Sequence, residues 1–440
     1  MTTSPSVNYI TDLMESKEVF LVSFEFVEYN GEKEEGKALI VGIIGAGASG
    51  MAAALTAAEN ENVQVLLFER QARVGRKLLA TGNGRCNLTN LNACTDTYHG
   101  ENGAFVAHAL ERFGVENTLQ WFRAMGLYTV AEPSGRVYPY SDQANSVVDV
   151  LRFALEKPNI QLLTGFEITK IRKNNPGFTV ENGEESIFCD KLIVACGGLA
   201  GTKLGGSMSG YKLLTKLGHH CTKLRPTLVQ IKSNWSCCAS LKGVRANCHA
   251  QITCDGKLHA ASKGELQFTE YGLSGPVIFE ISRDACITPG RWVCNLDLIP
   301  DLMTEELMDY LRQKRHTALR SEDLLTGILH NRLGRVITKE AGVSLHAPVA
   351  VLEDWELENV CRMAKNLQIE LVELMGMDSA QVTAGGILTD EFDNKTMESR
   401  IVPGLYACGE VLDIDGDCGG YNLQWAWSSG RCAGEAAGKE

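Results

Sequence analysis

The chain has 440 residues, enough for two or three domains and a large core. Its formal net charge of −12 argues against general nucleic-acid binding. Its fifteen cysteines include no CxxC spacing and its nine histidines no HExxH pattern, so the thiols read as buried in a reducing cytosol and no metal is expected.

Residues 1–37 contain "EVFLVSFEFVEYNG", of strand-and-turn character, and read as an N-terminal extension, poorly ordered and without an assigned function. The next twenty-one residues, Ala38 to Ala58, carry no charge. As one helix they would cross a ~30 Å hydrocarbon core. The residue types change partway, however. Leu39, Ile40, Val41, Ile43 and Ile44 suit a buried strand, whereas Met51 to Ala58 are alanine-rich and favour a helix. Between them lies Gly45-Ala46-Gly47-Ala48-Ser49-Gly50, a GxGxxG turn. Gly45 serves the tight turn, Gly47 the approach of a pyrophosphate, and Gly50 close helix–strand packing. A second strand, "VQVLLF", ends at Glu69, twenty-four residues after Gly45, where a carboxylate can bind a ribose. A strand, phosphate turn and helix is therefore expected, with no membrane span.

The α/β pattern continues to about Arg225 through "NIQLLTGFEITKI", "GFTVEN" and "KLIVACGG". From Ala246 to Cys254 apolar and polar residues alternate and Asp255-Gly256 follows as a hairpin turn; Trp292 to Leu298 alternate likewise, predicting antiparallel β-structure. Helical spacing appears in "TEELMDYLRQKRH", "SEDLLTGILHNRLGRVITKEAG" and "EDWELENVCRMAKNL". The expected organisation is a dinucleotide-binding domain in two parts, 38–225 and 381–440. Between them lies an insert, 226–380, with a helical subdomain at about 301–366.

Two stretches bear on which nucleotide is bound. "VGRKLLATGNGRCNLTN" from Val74 sets Arg76, Lys77 and Arg85 among glycines and asparagines: either a solvated basic loop, or N–H groups and cations around a pyrophosphate and a flavin. "GLYACGEVLDIDGDCGGYNLQWAWSSGRCAG" sets glycines before a helix whose N-terminus would stabilise negative charge on a reduced flavin; Gly419 and Gly420 would allow close approach. The alternative is an ordinary closing helix, with Trp425 and Trp427 simply packed.

These stretches, with GAGASG, GRVYPYSDQA, GELQFTEYGLSGP and TMESR, resemble the BaiN-like (YhiN-like) family of FAD-binding oxidoreductases, in family order from Ala38 onward. The resemblance implies an α/β fold: a discontinuous Rossmann-like FAD-binding domain with an inserted antiparallel β-barrel-like domain carrying helices. It implies that Gly45, Gly47, Ala48, Ser49 and Gly50 hold the pyrophosphate, and that Glu69 and Arg70 serve the adenosine end with Ile168 facing adenine. Lys77, Thr81, Gly82, Asn83, Arg85, Cys86 and Asn87 would line the flavin side. Gly409, Glu410, Asp413, Gly420, Tyr421, Asn422 and Leu423 would complete the ribityl and flavin contacts. Glu270 stands where many relatives carry histidine. The implied activity is reduction of a conjugated double bond in a hydrophobic, 3-oxo bile-acid-like molecule, with NAD(P)H a transient electron donor. Tyr138, Tyr271 and Glu270 have the chemistry of a proton donor. For Cys86 a packed thiol competes with a role near the flavin. An NAD-dependent dehydrogenase, a flavin oxidase, an RNA-acting flavoprotein and a flavin-binding partner without turnover remain open, as do the substrate and the oligomeric state.

Overall fold

The computed structural model describes residues 38–439, and the expectation for residues 1–37 lies outside them. The uncharged stretch divides as its composition requires. Strand β1 (Leu39–Ile44) is followed by the glycine turn and helix α1 (Ala48–Ala57). Strand β2 (Val63–Glu69) pairs with β1 in parallel, Ile44 opposite Phe68, so the turn and the end of β2 lie side by side. Strands β3 (Ile160–Thr164) and β4 (Lys191–Val194) extend the sheet on either side. Both faces of such a sheet must be covered, which accounts for strands that are apolar almost throughout.

The chain then leaves this sheet and forms a closed barrel. Strands β5 (Ile231–Ser233), β6 (Arg245–Cys254), β7 (Lys257–Phe268) and β8 (Gly272–Ser274) precede helix α2 (Pro276–Ser282) and strand β9 (Trp292–Asp297). Helices α3 (Thr304–Lys314), α4 (Asn331–Glu340) and α5 (Asp354–Lys365) follow, and β10 (Leu367–Leu374) completes the barrel in the order β5-β8-β7-β6-β9-β10. Alternation dictates which side chains go inward: Cys248, Ala250, Ile252 and Cys254 of β6 are buried, with Cys294 and Leu296 of β9 beside them. The turn at Asp255 and Gly256 has both φ angles positive, 50° and 81°, as a two-residue hairpin needs.

Returning, the chain adds β11 (Leu405–Ala407), giving the parallel order β11-β4-β1-β2-β3, and ends in helix α6 (Tyr421–Ala437). Helix α6 lies against α1, which is buried from Ser49 to Ala57. Close approach is possible because Gly430 faces the Ser49 carbonyl and Gly434 the Ala53 carbonyl, where a Cβ would collide. The described residues form two large hydrophobic cores, one around the parallel sheet and one inside the barrel and its helices, with a small third cluster at Ala200, Val229 and Ala380. Among the described residues no helix is long and apolar enough to cross a membrane.

Candidate functional site

A cleft of about 850 Å³ opens beyond the carboxyl ends of the parallel strands, where ligands bind in open α/β sheets. Its first wall is the β1–α1 turn, with Gly45, Ala46, Gly47, Ala48 and Ser49 lining it. Gly45 has φ +105°, a region that side chains avoid, and a Cβ on Gly47 would have no atom within 4 Å. Gly50 lies behind the cleft, pressed against the Gly45 carbonyl. Glu69, at the end of β2, is held across the turn: its Oε2 accepts from the Ala46 N–H at 2.9 Å and its Oε1 from Gln71 N–H at 2.8 Å. Arg70 donates to the Gly205 carbonyl at 2.6 Å, and Ile168 lines the same end beside Phe166.

The stretch after α1 and β2 forms the middle and far end. Lys77 Nζ meets Glu410 Oε2 at 2.7 Å, across 333 positions of sequence, while Glu410 Oε1 accepts from the Thr383 N–H at 2.9 Å. Gly82 and Asn83 turn through positive φ, 57° and 58°, which exposes Thr81, Gly82 and Asn83 to the cleft. The Arg85 guanidinium is clamped by Asp142 at 2.5 Å and Glu132 at 3.1 Å, and sits 3.9 Å over the ring of Tyr138. Asn87 is buried, and its Oδ1 has no hydrogen-bond partner. Gly420, Asn422 and Leu423 close this end, with the Asn422 amide pinned to Gly416 by hydrogen bonds of 2.8 and 2.9 Å.

Five of the expected residues do not line the cleft: Gly50, Cys86, Gly409, Asp413 and Tyr421. Cys86 turns its side chain into the core at φ +63°, and burial pushes its thiol up to about 12, so it is no thiolate at neutral pH. Gly409 donates its N–H to Ser429 at 3.0 Å, and Asp413 accepts from the Glu101 N–H at 3.1 Å with its carboxyl raised by burial. Tyr421 starts α6 and its carbonyl accepts from the Tyr98 hydroxyl at 3.0 Å. Of the proton-donor candidates only Tyr138 lines the cleft. Glu270 pairs with Lys242 at 2.6 Å in solvent, which holds its carboxyl below the ordinary range, and Tyr271 is exposed outside the cleft. Trp425 and Trp427 are fully buried and donate to the carbonyls of Gly409 and Leu88.

The barrel also contributes to the cleft, through residues that no sequence motif marks: Gln230, Arg245, Glu265 and Gln267, with Phe279 from α2. Arg245 and Glu265 pair at 3.3 Å on the outer face of β6 and β7, opposite the buried Leu266. Alternation marks these residues as outward-facing, but only the packing of barrel on sheet turns that face into a cleft wall.

The residues present suit a dinucleotide. The open space over Gly47 and the N-terminus of α1 suit a pyrophosphate, the fixed Glu69 carboxylate suits a ribose, and the orphaned Asn87 Oδ1 at the opposite end calls for a donor.

A discontinuous Rossmann fold carrying such a cleft defines the class as an FAD-binding oxidoreductase. The chain belongs to the family described as "HI0933-like protein Rossmann domain", whose pattern matches residues 39–436. It is 36% identical over 407 residues to a 3-dehydro-bile acid delta(4,6)-reductase from Clostridium scindens, covering 90% of this chain and 98% of that one. It is 32% identical over 400 residues to a ribosomal RNA dihydrouridine synthase from Escherichia coli, covering 88% and 95%. Among solved structures, a 3-ketosteroid delta1-dehydrogenase from Sterolibacterium denitrificans aligns with a TM-score of 0.49 at 12% identity, over 91% of this chain and 99% of that one.

Proposed function

We propose that this protein reduces a carbon–carbon double bond conjugated to a carbonyl in a hydrophobic small molecule of the 3-oxo steroid or bile-acid type. The observation that carries the reading is the shared cleft: one cavity joins the glycine turn of the Rossmann sheet to the outer wall of the barrel, giving a dinucleotide and a second molecule adjoining places. Bound there, FAD supplies hydride chemistry, taking its electrons from a transient reduced nicotinamide nucleotide.

The protein's own residues hold and orient. Gly47, Ala48 and Ser49 present backbone N–H groups to the pyrophosphate on the turn that Gly45 makes, with the Gly45 N–H itself held by the Phe68 carbonyl at 2.7 Å; Glu69 takes the ribose, and Arg70 and Ile168 border the adenine end. Lys77, Glu410, Thr81, Gly82, Asn83, Arg85, Asn87, Gly420, Asn422 and Leu423 surround the flavin end. Gly50, Cys86, Gly409, Asp413 and Tyr421 support these from behind. The α6 N-terminus adds a positive dipole end there. Fifteen free cysteines, most of them buried, suit a reducing cytosol.

The relatives' names also support the reaction class, since a delta(4,6)-reductase and a dihydrouridine synthase both add hydrogen across a double bond beside a carbonyl. The second name favours a different substrate, a uracil in RNA, and one feature of the wall agrees with it. Gln230, Gln267 and Gln381 all line the cleft, and Gln230 Oε1 is buried without a partner, ready for a polar ring. Anaerobically reduced holoenzyme mixed with a 3-oxo-4,6-diene steroid, or with an unmodified ribosomal RNA transcript, decides the matter by flavin reoxidation. Reoxidation by the steroid is expected. Reoxidation by RNA alone replaces the substrate class, and reoxidation by neither rejects the reaction.

A further inference from the structure

We propose that Tyr138 is the proton donor of this reaction and that Arg85 is its positioning residue; the inference rests on the ene-reduction reading above. Saturating a conjugated double bond needs hydride at the β-carbon and a proton at the α-carbon. The hydride carries both electrons, so the acid supplies a proton only. A group in this role must line the cleft, be protonated at neutral pH, and have its hydrogen free to transfer.

Tyr138 meets each requirement. It lies on a short strand, Arg136–Pro139, whose pairing with Thr129–Ala131 and Thr89–Asn90 fixes its backbone beside the flavin-end loop. Its side chain lines the cleft, close enough to Gly82 that a Cβ there would stand 3.3 Å from the ring. No hydrogen bond to its hydroxyl occurs among the described residues, whereas the buried Tyr98 and Tyr211 donate theirs to carbonyls. Burial and Glu132 raise its ionisation above that of free tyrosine, against the lowering influence of Arg136 and Arg85, so the phenol keeps its proton.

Arg85 explains why the ring stays in place. Its guanidinium lies 3.9 Å from the ring centroid and is paired with both Asp142 and Glu132, which favours its place over the ring as a cation–π lid. After transfer, the phenolate left behind faces that cation and Arg136, and regains its proton from solvent. The O–H bond breaks, the α-carbon–H bond forms, and the substrate gains one hydride and one proton in total. The cleft carboxylates Glu132 and Glu265 serve less well, since the first is bound to Arg85 and the second to Arg245.

The test is Tyr138→Phe, which keeps the ring under Arg85 and removes only the hydroxyl. Reoxidation of the reduced holoenzyme by the steroid dienone is expected to slow by about 100-fold or more. Reoxidation by ferricyanide, which puts no proton on carbon, stays within about twofold of the parent rate. A dienone rate within about twofold of the parent overturns the proposal. Tyrosinate absorbance titration of the holoenzyme, parent minus variant, supplies a readout independent of turnover. A midpoint above free tyrosine is expected, and one at or below neutral overturns the proposal. If the parent protein reduces no dienone, the reaction reading fails, and the titration still judges Tyr138 as an acid.

Discussion

Gly47 and Gly50 stand three residues apart in one motif but differ in what a side chain would meet, and the difference separates ligand binding from folding. A Cβ on Gly47 would enter open cleft, whereas one on Gly50 would strike the Gly45 carbonyl. Gly47→Val should therefore leave the melting temperature of the FAD-free protein within about 2 °C of the parent, because the surface change is small. FAD affinity should fall at least about 10-fold, a loss of about 1.4 kcal/mol, because the methyl groups occupy the phosphate's place. Gly50→Val should fail to give folded protein at all. Titration of flavin fluorescence and thermal melts read both effects; unchanged affinity in the Gly47 variant would remove the pyrophosphate from this turn. The tight turn at Gly45 and the close packing at Gly50 were legible in the sequence because backbone mechanics depend on local spacing. The Lys77–Glu410 pair was not, since its partners are 333 positions apart and only the sheet order brings them together.

Elements were legible where a period was strong. The alternation of Ala246 to Cys254 became β6, and the alanine-rich run after the turn became α1. "SEDLLTGILHNRLGRVITKEAG" looked helical throughout, yet only Asn331–Glu340 is an α-helix. Gly327, at φ +102°, breaks the run, and Leu324 and Leu325 reach the barrel-side core from a short turn instead. Spacing of apolar residues cannot distinguish a helix face from leucines delivered singly to a core. The contact of α1 with α6 shows tertiary packing overruling propensity. Gly434 lies inside α6, where alanine would ordinarily be favoured by about 1 kcal/mol. Its position against the Ala53 carbonyl leaves no room for a methyl group, and overpacking costs about 1–3 kcal/mol. The net cost is up to about 2 kcal/mol, so Gly434→Ala should lower the melting temperature by up to about 2 °C, and a rise would show that the two helices can separate cheaply.

At the scale of the whole molecule, barrel and Rossmann sheet meet again at a second cavity, of about 310 Å³, lined by His99, Glu280, Arg283, Asp284, Asp415 and Asp417. One ion pair binds the halves here: Arg283 of the segment after α2 holds the buried Asp415 by two hydrogen bonds, while His99 and Asp417, both on the Rossmann side, meet at 2.7 Å beside it. Among the described residues Glu280, on α2, pairs with no cation and accepts only the Cys418 N–H, at 3.4 Å. Burial, with Asp417 adding, raises its carboxyl from 4.5 to about 7, although Cys418 N–H, Arg136 and His99 pull the other way. Because the folded state binds this proton more tightly than the unfolded chain, the contribution to stability is complete below about pH 4.5. It is lost as pH rises through about 7. The shift corresponds to about 3 kcal/mol. Glu280→Gln keeps a neutral group of the same shape at every pH. The variant should match the parent in denaturant unfolding at pH 5 and exceed it by about 2–3 kcal/mol at pH 8. Equal stability at both pH values would mean that Glu280 meets water at the junction and titrates as an ordinary carboxylate. The junction carries the cleft on one side and this cavity on the other, joined by the Asp415–Gly420 loop. Deprotonating Glu280 therefore loads the same loop that brings Gly420 to the cleft, and FAD affinity should weaken over the same pH interval in the parent but not in the variant.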